Sequence, residues 1–281
     1  MKEIIRLVCK KKYEILGAVL MLLLLGGLFW RGPKTDYEVL CLGDSIFGNV
    51  QNETSIPGLL KKETGLSVLN GGFGGMTLAQ RNVERRGDIQ EDCFSLVGIS
   101  ESLAAGDFSW QKGSMEEAVH LDYFPQTVSE LETVSMDCVE IIVIEYGVND
   151  YLNGLPLENK ENPYDKYTFA GALRYVLEFL QDQYPDKQIV LCTPTYCWFP
   201  EENADCSRKN TGYGVLEDYV NLEKIIGQEY NVMVLDNYHE SGIGNGNVSW
   251  QEYTEDGLHL NEAGRKLIAK RIAECIKSEG K

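Results

Sequence analysis

Residues 38–46 read Glu-Val-Leu-Cys-Leu-Gly-Asp-Ser-Ile, and the rest of the chain takes its meaning from this stretch. The apolar run Val39-Leu40-Cys41-Leu42 suits a short strand buried on both faces of a parallel sheet, with a glycine to end it. Gly43-Asp44-Ser45 then turns into Ile46-Phe47, which open a plausible helical stretch. A serine on such a strand-to-helix turn sits at the carboxyl edge of the sheet. Its backbone N–H lies at a helix start, where developing negative charge is stabilised. A nucleophile would fit there. Gly-Asp-Ser is also ordinary turn chemistry, so the tripeptide needs support from elsewhere in the chain.

Four further strand-like runs follow: Leu66–Leu69, Glu140–Tyr146, Gln188–Thr193 and Asn231–Asp236. The run containing Ile141-Ile142-Val143-Ile144 is the most apolar and is expected at the centre of the sheet. Helical periodicity fills the gaps. Tyr167–Tyr184 places Phe169, Leu173, Val176, Leu177 and Leu180 on one face, with Pro185 just beyond its end. Tyr213–Tyr230 and Asn261–Lys277 behave similarly, and Asn261 is a plausible N-cap. Strands alternating with helices imply a parallel sheet covered on both faces. The expected fold is therefore a three-layer α/β/α, flavodoxin-like domain with a five-stranded parallel sheet in the order 2-1-3-4-5. Residues 80–137 are long for a crossover and read as an insertion over one face. Phe94–Ala105 and Pro125–Val134 are its expected helices, with Gly106–Tyr123 irregular between them.

In that strand order, ligands bind outside the carboxyl ends of strands 1 and 3, where the winding reverses. Ser45 follows strand 1, and strand 3 runs into Gly147-Val148-Asn149-Asp150. An asparagine there would face the serine, and its amide could donate to an oxyanion. Strand 2 ends in Asn70-Gly71-Gly72-Phe73-Gly74-Gly75-Met76-Thr77, whose glycines let backbone N–H groups approach a ligand. A helix cap at Asn149 and a tight turn at the glycines are the plainer alternatives. A phosphate cradle is disfavoured, since neither Gly-x-Gly-x-x-Gly nor a Walker lysine is present. The chain has three histidines, His120, His239 and His259. His259 lies in Asp256-Gly257-Leu258-His259-Leu260-Asn261. This spacing can bring the Asp256 carboxylate to one imidazole nitrogen and leave the other free for Ser45. His120 and His239 read as polar surface residues.

Together these four blocks resemble those of the SGNH (GDSL-type) hydrolases, an esterase and lipase family, in order and spacing. The resemblance covers roughly residues 38–276. It implies Ser45 as nucleophile, His259 as general base and Asp256 as its orienting partner. It also implies an oxyanion hole made of the Ser45 and Gly75 backbone N–H groups and the Asn149 amide, with Gly74 an alternative to Gly75. Ile46 stands where the family has leucine, a volume-conserving change. No Gly-x-Ser-x-Gly elbow surrounds Ser45, which disfavours the ordinary α/β-hydrolase architecture. No metal or organic cofactor is implied.

The amino terminus reads differently. Ile15–Trp30 is free of charge and rich in leucine, with Lys10-Lys11-Lys12 before it and Arg31 after it. Tyr13 and Trp30 lie at its ends, as interfacial aromatics do. Residues 14–30 are thus expected to form one N-terminal transmembrane helix, an uncleaved signal anchor at the cell membrane. Residues 1–13 would be a cytoplasmic basic tail, 31–37 a linker, and the hydrolase domain (38–278) extracytoplasmic. A cleaved signal peptide is the competing reading, although Gly26–Trp30 lacks a small-x-small site.

The whole chain holds 26 Lys/Arg and 43 Asp/Glu, and residues after the first 34 are strongly acidic. Such a domain is poorly suited to nucleic acid or anionic lipid. The eight cysteines form no Cys-x-x-Cys and no zinc spacing. Cys41, Cys138 and Cys192 are expected as buried small hydrophobes, while Cys197 and Cys206 share a loop and could pair.

The functional expectation is a serine ester hydrolase cleaving O-acyl esters, acetyl or short-chain, of a glycan or lipid outside the cytoplasmic membrane. The alternatives are an O-acyltransferase on the same scaffold and a non-catalytic, membrane-tethered binding protein. Aromatic residues at Thr195–Pro200, Phe108 and Trp110 could stack on sugars or pack against the sheet.

Overall fold

A computed structural model of the protein describes residues 34–81, 92–244 and 248–279. The expected transmembrane helix at 14–30 lies outside the described residues. Among the described residues no helix is long and apolar enough to cross a membrane.

Five short apolar runs build the sheet: β1 (Val39–Gly43), β2 (Val68–Asn70), β3 (Ile141–Glu145), β4 (Gln188–Cys192) and β5 (Met233–Leu235). All neighbours are parallel, and the order is β2-β1-β3-β4-β5, as expected from the alternating pattern. β1 and β3 are buried at every position because helices cover both faces. One face carries Val39, Cys41, Val143 and Val190 against Ile56, Leu60, Ile268 and Ile272. The other carries Leu40, Leu42, Ile142 and Ile144 against Leu173, Val176, Leu177 and Val220. This alternation along each strand is the period of two expected of a pleated chain.

The helices bear out the periodic segments. Besides two four-residue helices at Asn237–Glu240 and Trp250–Tyr253, they are in chain order α1 (Ser45–Gly48), α2 (Ile56–Thr64), α3 (Leu96–Ala105), α4 (Ser109–Glu117), α5 (Phe124–Thr133), α6 (Val148–Leu152), α7 (Phe169–Gln183), α8 (Leu216–Glu229) and α9 (Glu262–Glu279). Asn261 caps α9 as expected, since its side chain accepts the Gly264 N–H at 3.1 Å. α2 has no counterpart among the expected helices, although Ser55 caps it by accepting the Gly58 N–H and Gly65 closes it in the left-handed region.

Within the insertion, α3 and α5 stand where helices were expected, but Gly106–Tyr123 is not irregular throughout, because it contains α4. The buried residues of α4 are Gln111 and Ser114, which are polar, so the segment has no apolar period to read. The burial of Gln111 is offset by hydrogen bonds from Nε2 to Cys93 O at 2.6 Å and Ser102 Oγ at 2.9 Å. Phe108 is buried in the core, whereas Trp110 is exposed. Cys41 and Cys192 are buried as expected, but Cys138 is only partly so, with its thiol 3.3 Å from Asp36 Oδ1. Cys197 and Cys206 are both buried free thiols that hydrogen-bond to one another. They flank a small antiparallel ladder, Trp198–Phe199 with Ala204–Asp205.

Candidate active site

The turn after β1 puts Ser45 at the carboxyl edge of the sheet. Asp44 caps α1, accepting the Ile46 N–H at 2.9 Å, and its own N–H donates to Glu145 O at 3.2 Å. These bonds tie the serine turn to the end of β3. The loop after β2 is tied to the same edge, as the Gly71 N–H donates to Cys41 O and the Phe73 N–H to Gly43 O, both at 2.8 Å.

The loop before α9 brings in the histidine. His259 Nε2 lies 3.2 Å from Ser45 Oγ, across 214 residues of sequence. On the other side of the ring, Nδ1 lies 2.7 Å from Asp256 Oδ2. Asp256 Oδ1 accepts the N–H groups of Leu258 at 2.9 Å and His259 at 2.8 Å, so the carboxylate also shapes the turn that carries the imidazole. Partial burial pushes Asp256 up, but its hydrogen bonds to the His259 ring and to these backbone groups hold it below the usual carboxylate range. With a proton on Nδ1 facing the carboxylate, Nε2 is free to accept the serine hydroxyl proton. The three residues picked from the sequence as Ser45, Asp256 and His259 therefore meet in one row.

The N–H groups of Ser45 and Gly75 have no hydrogen-bond partner within the described protein. Gly75 is exposed, with φ at +79°, and an added Cβ there would meet nothing within 4 Å. The neighbouring Gly74 N–H is already taken by the Tyr123 hydroxyl at 2.7 Å. Of the two glycines left open by the sequence, Gly75 is thus the one whose donor remains available. Asn149 faces the serine from α6, as expected. Its Nδ2 donates to Asp44 Oδ2 at 3.0 Å and to Met76 O at 3.1 Å, so donation to a ligand must share or replace one of these.

These groups open on a cleft of about 500 Å³, lined by Ser45, Asn49, Gly75, Asn149 and His259 and by apolar Met76, Val119, Leu121, Phe124 and Leu258. His120 also lines it, stacked on Phe124 with ring centroids 5.5 Å apart and Nε2 3.1 Å from Ser114 Oγ. Reading His120 as a plain surface residue missed this, because nothing in the motifs locates the turn between α4 and α5. His239 instead lies between Asp236 and Glu217, in ion-pair contact with both.

Beneath the serine lies a cluster of carboxyl groups that the motifs did not reveal. Asp44, Glu145, Asp150 and Glu223 are all buried. Burial pushes Asp44 up to about 6 and Asp150 up to about 7, the latter despite N–H donors from Leu78 and Ala79. Glu145 and Glu223 are pushed up further, first by burial and then by neighbouring carboxyls. Among the described residues no group of histidine, cysteine and carboxylate side chains could hold a metal ion.

The family model for GDSL-like lipase/acylhydrolases matches residues 41–267. A protein from Lactobacillus plantarum shares the fold with a TM-score of 0.61 at 21% identity, over 87% of this chain and 98% of that one. A lipase/acylhydrolase from Enterococcus faecalis matches with a TM-score of 0.50 at 18% identity, over 86% and 96% of the two chains. A carbohydrate acetylesterase from Sinorhizobium meliloti matches with a TM-score of 0.50 at 17% identity, over 86% and 98%. No curated protein sequence is significantly similar to the chain.

Proposed function

The chain belongs to the GDSL-like lipase/acylhydrolase family, and from that premise we propose a serine ester hydrolase with Ser45, His259 and Asp256 as its working row. The Ser45 Oγ attacks the ester carbonyl while His259 Nε2 takes the hydroxyl proton. The C–O bond to the leaving alcohol then breaks, and the alcohol departs with that proton. Water, deprotonated by the same nitrogen, attacks the acyl-enzyme and releases the acid and free Ser45. Asp256 keeps the imidazole in the working tautomer and stabilises the imidazolium. The Ser45 and Gly75 N–H groups and the Asn149 amide receive the oxyanion. The observation that carries this reading is the 3.2 Å approach of His259 Nε2 to Ser45 Oγ, with Asp256 behind the ring at 2.7 Å.

The substrates we propose are O-acyl esters, acetyl or short-chain, on a glycan or a lipid. The cleft supports an acyl group among Met76, Leu121, Phe124 and Leu258, with Asn49 and His120 available to polar parts of the alcohol. The same reading puts the domain outside the cytoplasmic membrane, held by residues 14–30. The three lysines before that run outweigh the single Arg31 after it, which supports the orientation.

The test is hydrolysis of p-nitrophenyl acetate, butyrate and octanoate, and of an acetylated glycan, by the full chain beside its Ser45→Ala variant. Turnover lost in the variant is the expected result, and the chain-length profile names the acyl class. Transfer of the acyl group to an added glycan in preference to water would identify an acyltransferase instead. No turnover above the variant on any ester would overturn the hydrolase mechanism.

A further inference from the structure

The buried carboxyls beneath the nucleophile have no part in the mechanism so far. Gly43 and Glu145 are register partners across β1 and β3, which brings the Asp44 and Glu145 side chains together. Asp44 is 0% and Glu145 2% exposed, and their carboxyls hydrogen-bond one another. Two carboxyls can share a hydrogen bond only if one of them carries a proton. The charged neighbours of Glu145 are Asp44 and Glu223, both carboxyls, and its Oε2 has no partner. Asp44 is better placed to be the anion, since it accepts from the Ile46 N–H at 2.9 Å and from Asn149 Nδ2 at 3.0 Å. The proton therefore belongs on Glu145.

Resting on the oxyanion role given to Asn149 above, we propose that Glu145 is a positioning residue. Its acid O–H donates to Asp44 and keeps Asp44 an acceptor, which fixes the Asn149 amide with its nitrogen toward Asp44 and Met76, from where it donates to the reacting carbonyl by exchanging the Met76 bond. The Asn149 nitrogen faces two acceptors, Asp44 Oδ2 and Met76 O. Turning the amide over would set its own oxygen against both, so an anionic Asp44 excludes that rotamer. Without a donor from Glu145, a fully buried Asp44 takes up a proton itself. It can then donate to the amide oxygen, which admits the turned-over rotamer and presents the wrong dipole to the oxyanion. Glu145 thus acts on the oxyanion hole through two intervening side chains and never touches substrate.

The test is a double-mutant cycle on the full chain, reading kcat and KM for p-nitrophenyl acetate. Glu145→Gln keeps a donor and should stay within about threefold of wild type. Glu145→Leu, or Glu145→Met if the leucine variant does not fold, keeps bulk without a donor. It should lose about 10²-fold in kcat, the scale of one oxyanion donor, with KM little changed. Asn149→Ala alone should lose about 10²–10³-fold. Combining it with Glu145→Leu should cost no more than about threefold beyond Asn149→Ala, since both remove the same contribution. Glu145→Leu as active as Glu145→Gln, or losses that multiply in the double variant, would overturn the inference while leaving the hydrolase reading intact. Absence of Ser45-dependent turnover in the wild type would overturn both.

Discussion

Replacing Asp256 by alanine should weaken this enzyme much less than replacing Ser45. The reason lies in exposure: the side chains of His259 and Asp256 are 36% and 55% accessible to water. At 2.7 Å, a unit charge pair is worth about 1.5 kcal/mol in water-like screening and about 6 kcal/mol at an effective dielectric of 20. An exposure of this size puts the imidazolium–carboxylate attraction near the lower figure, about 1.5–3 kcal/mol. That translates into about 10–10²-fold in kcat/KM, whereas a buried aspartate in such a row is worth about 10⁴-fold. The lost acceptor for the Leu258 and His259 N–H groups adds little, since water can replace it at this surface. The assay is kcat/KM on p-nitrophenyl acetate for wild type, Asp256→Ala and Ser45→Ala at low and high salt, with salt narrowing the gap between the first two. A loss for Asp256→Ala equal to that of Ser45→Ala would refute the argument, because it would require a shielded carboxylate.

Three further outcomes follow from the buried acids and the loop that carries His259. Asp44, Asp150, Glu145 and Glu223 all bind protons more tightly folded than unfolded, so unfolding releases protons as pH rises above about 4. Stability should accordingly decline as pH climbs through the folded values of about 6 for Asp44 and about 7 for Asp150, and keep declining where Glu145 and Glu223 ionise. A thermal midpoint higher at pH 8 than at pH 5 would contradict this. Both Glu223 oxygens are buried without a partner, so Glu223→Met should raise stability by about 1–3 kcal/mol at pH 8 in urea titrations and flatten that slope. In the loop, a Cβ on Gly257 would meet Trp198 O at 2.6 Å, and φ there is +97°. Gly257→Ala should therefore cost about 1–3 kcal/mol of stability and, by moving His259, up to about 10²-fold in kcat; unchanged kinetics would show that the loop adapts.

The sequence alone determined the sheet and singled out Ser45, Asp256 and His259 as candidates. Five apolar runs and three strongly periodic helices are local patterns, and each strand lies within two residues of its expected ends. The fold follows from those patterns with the winding rule for parallel sheets, while the grouping of Ser45 with Asp256 and His259 is what the resemblance to the SGNH hydrolases implies. Tertiary structure decided what depends on partners distant in sequence. α4 is invisible in the pattern because it buries Gln111 and Ser114, and the cost of burying Gln111 is met by Cys93 and Ser102 on the neighbouring elements. The choice of Gly75 over Gly74 rests on the Tyr123 hydroxyl, 49 residues away. The acid pair of Asp44 and Glu145 arises only when β1 and β3 align, since neither residue's protonation is a property of its own segment. A hydrophobic period reports burial of apolar groups; it does not report where a buried polar group finds its partner.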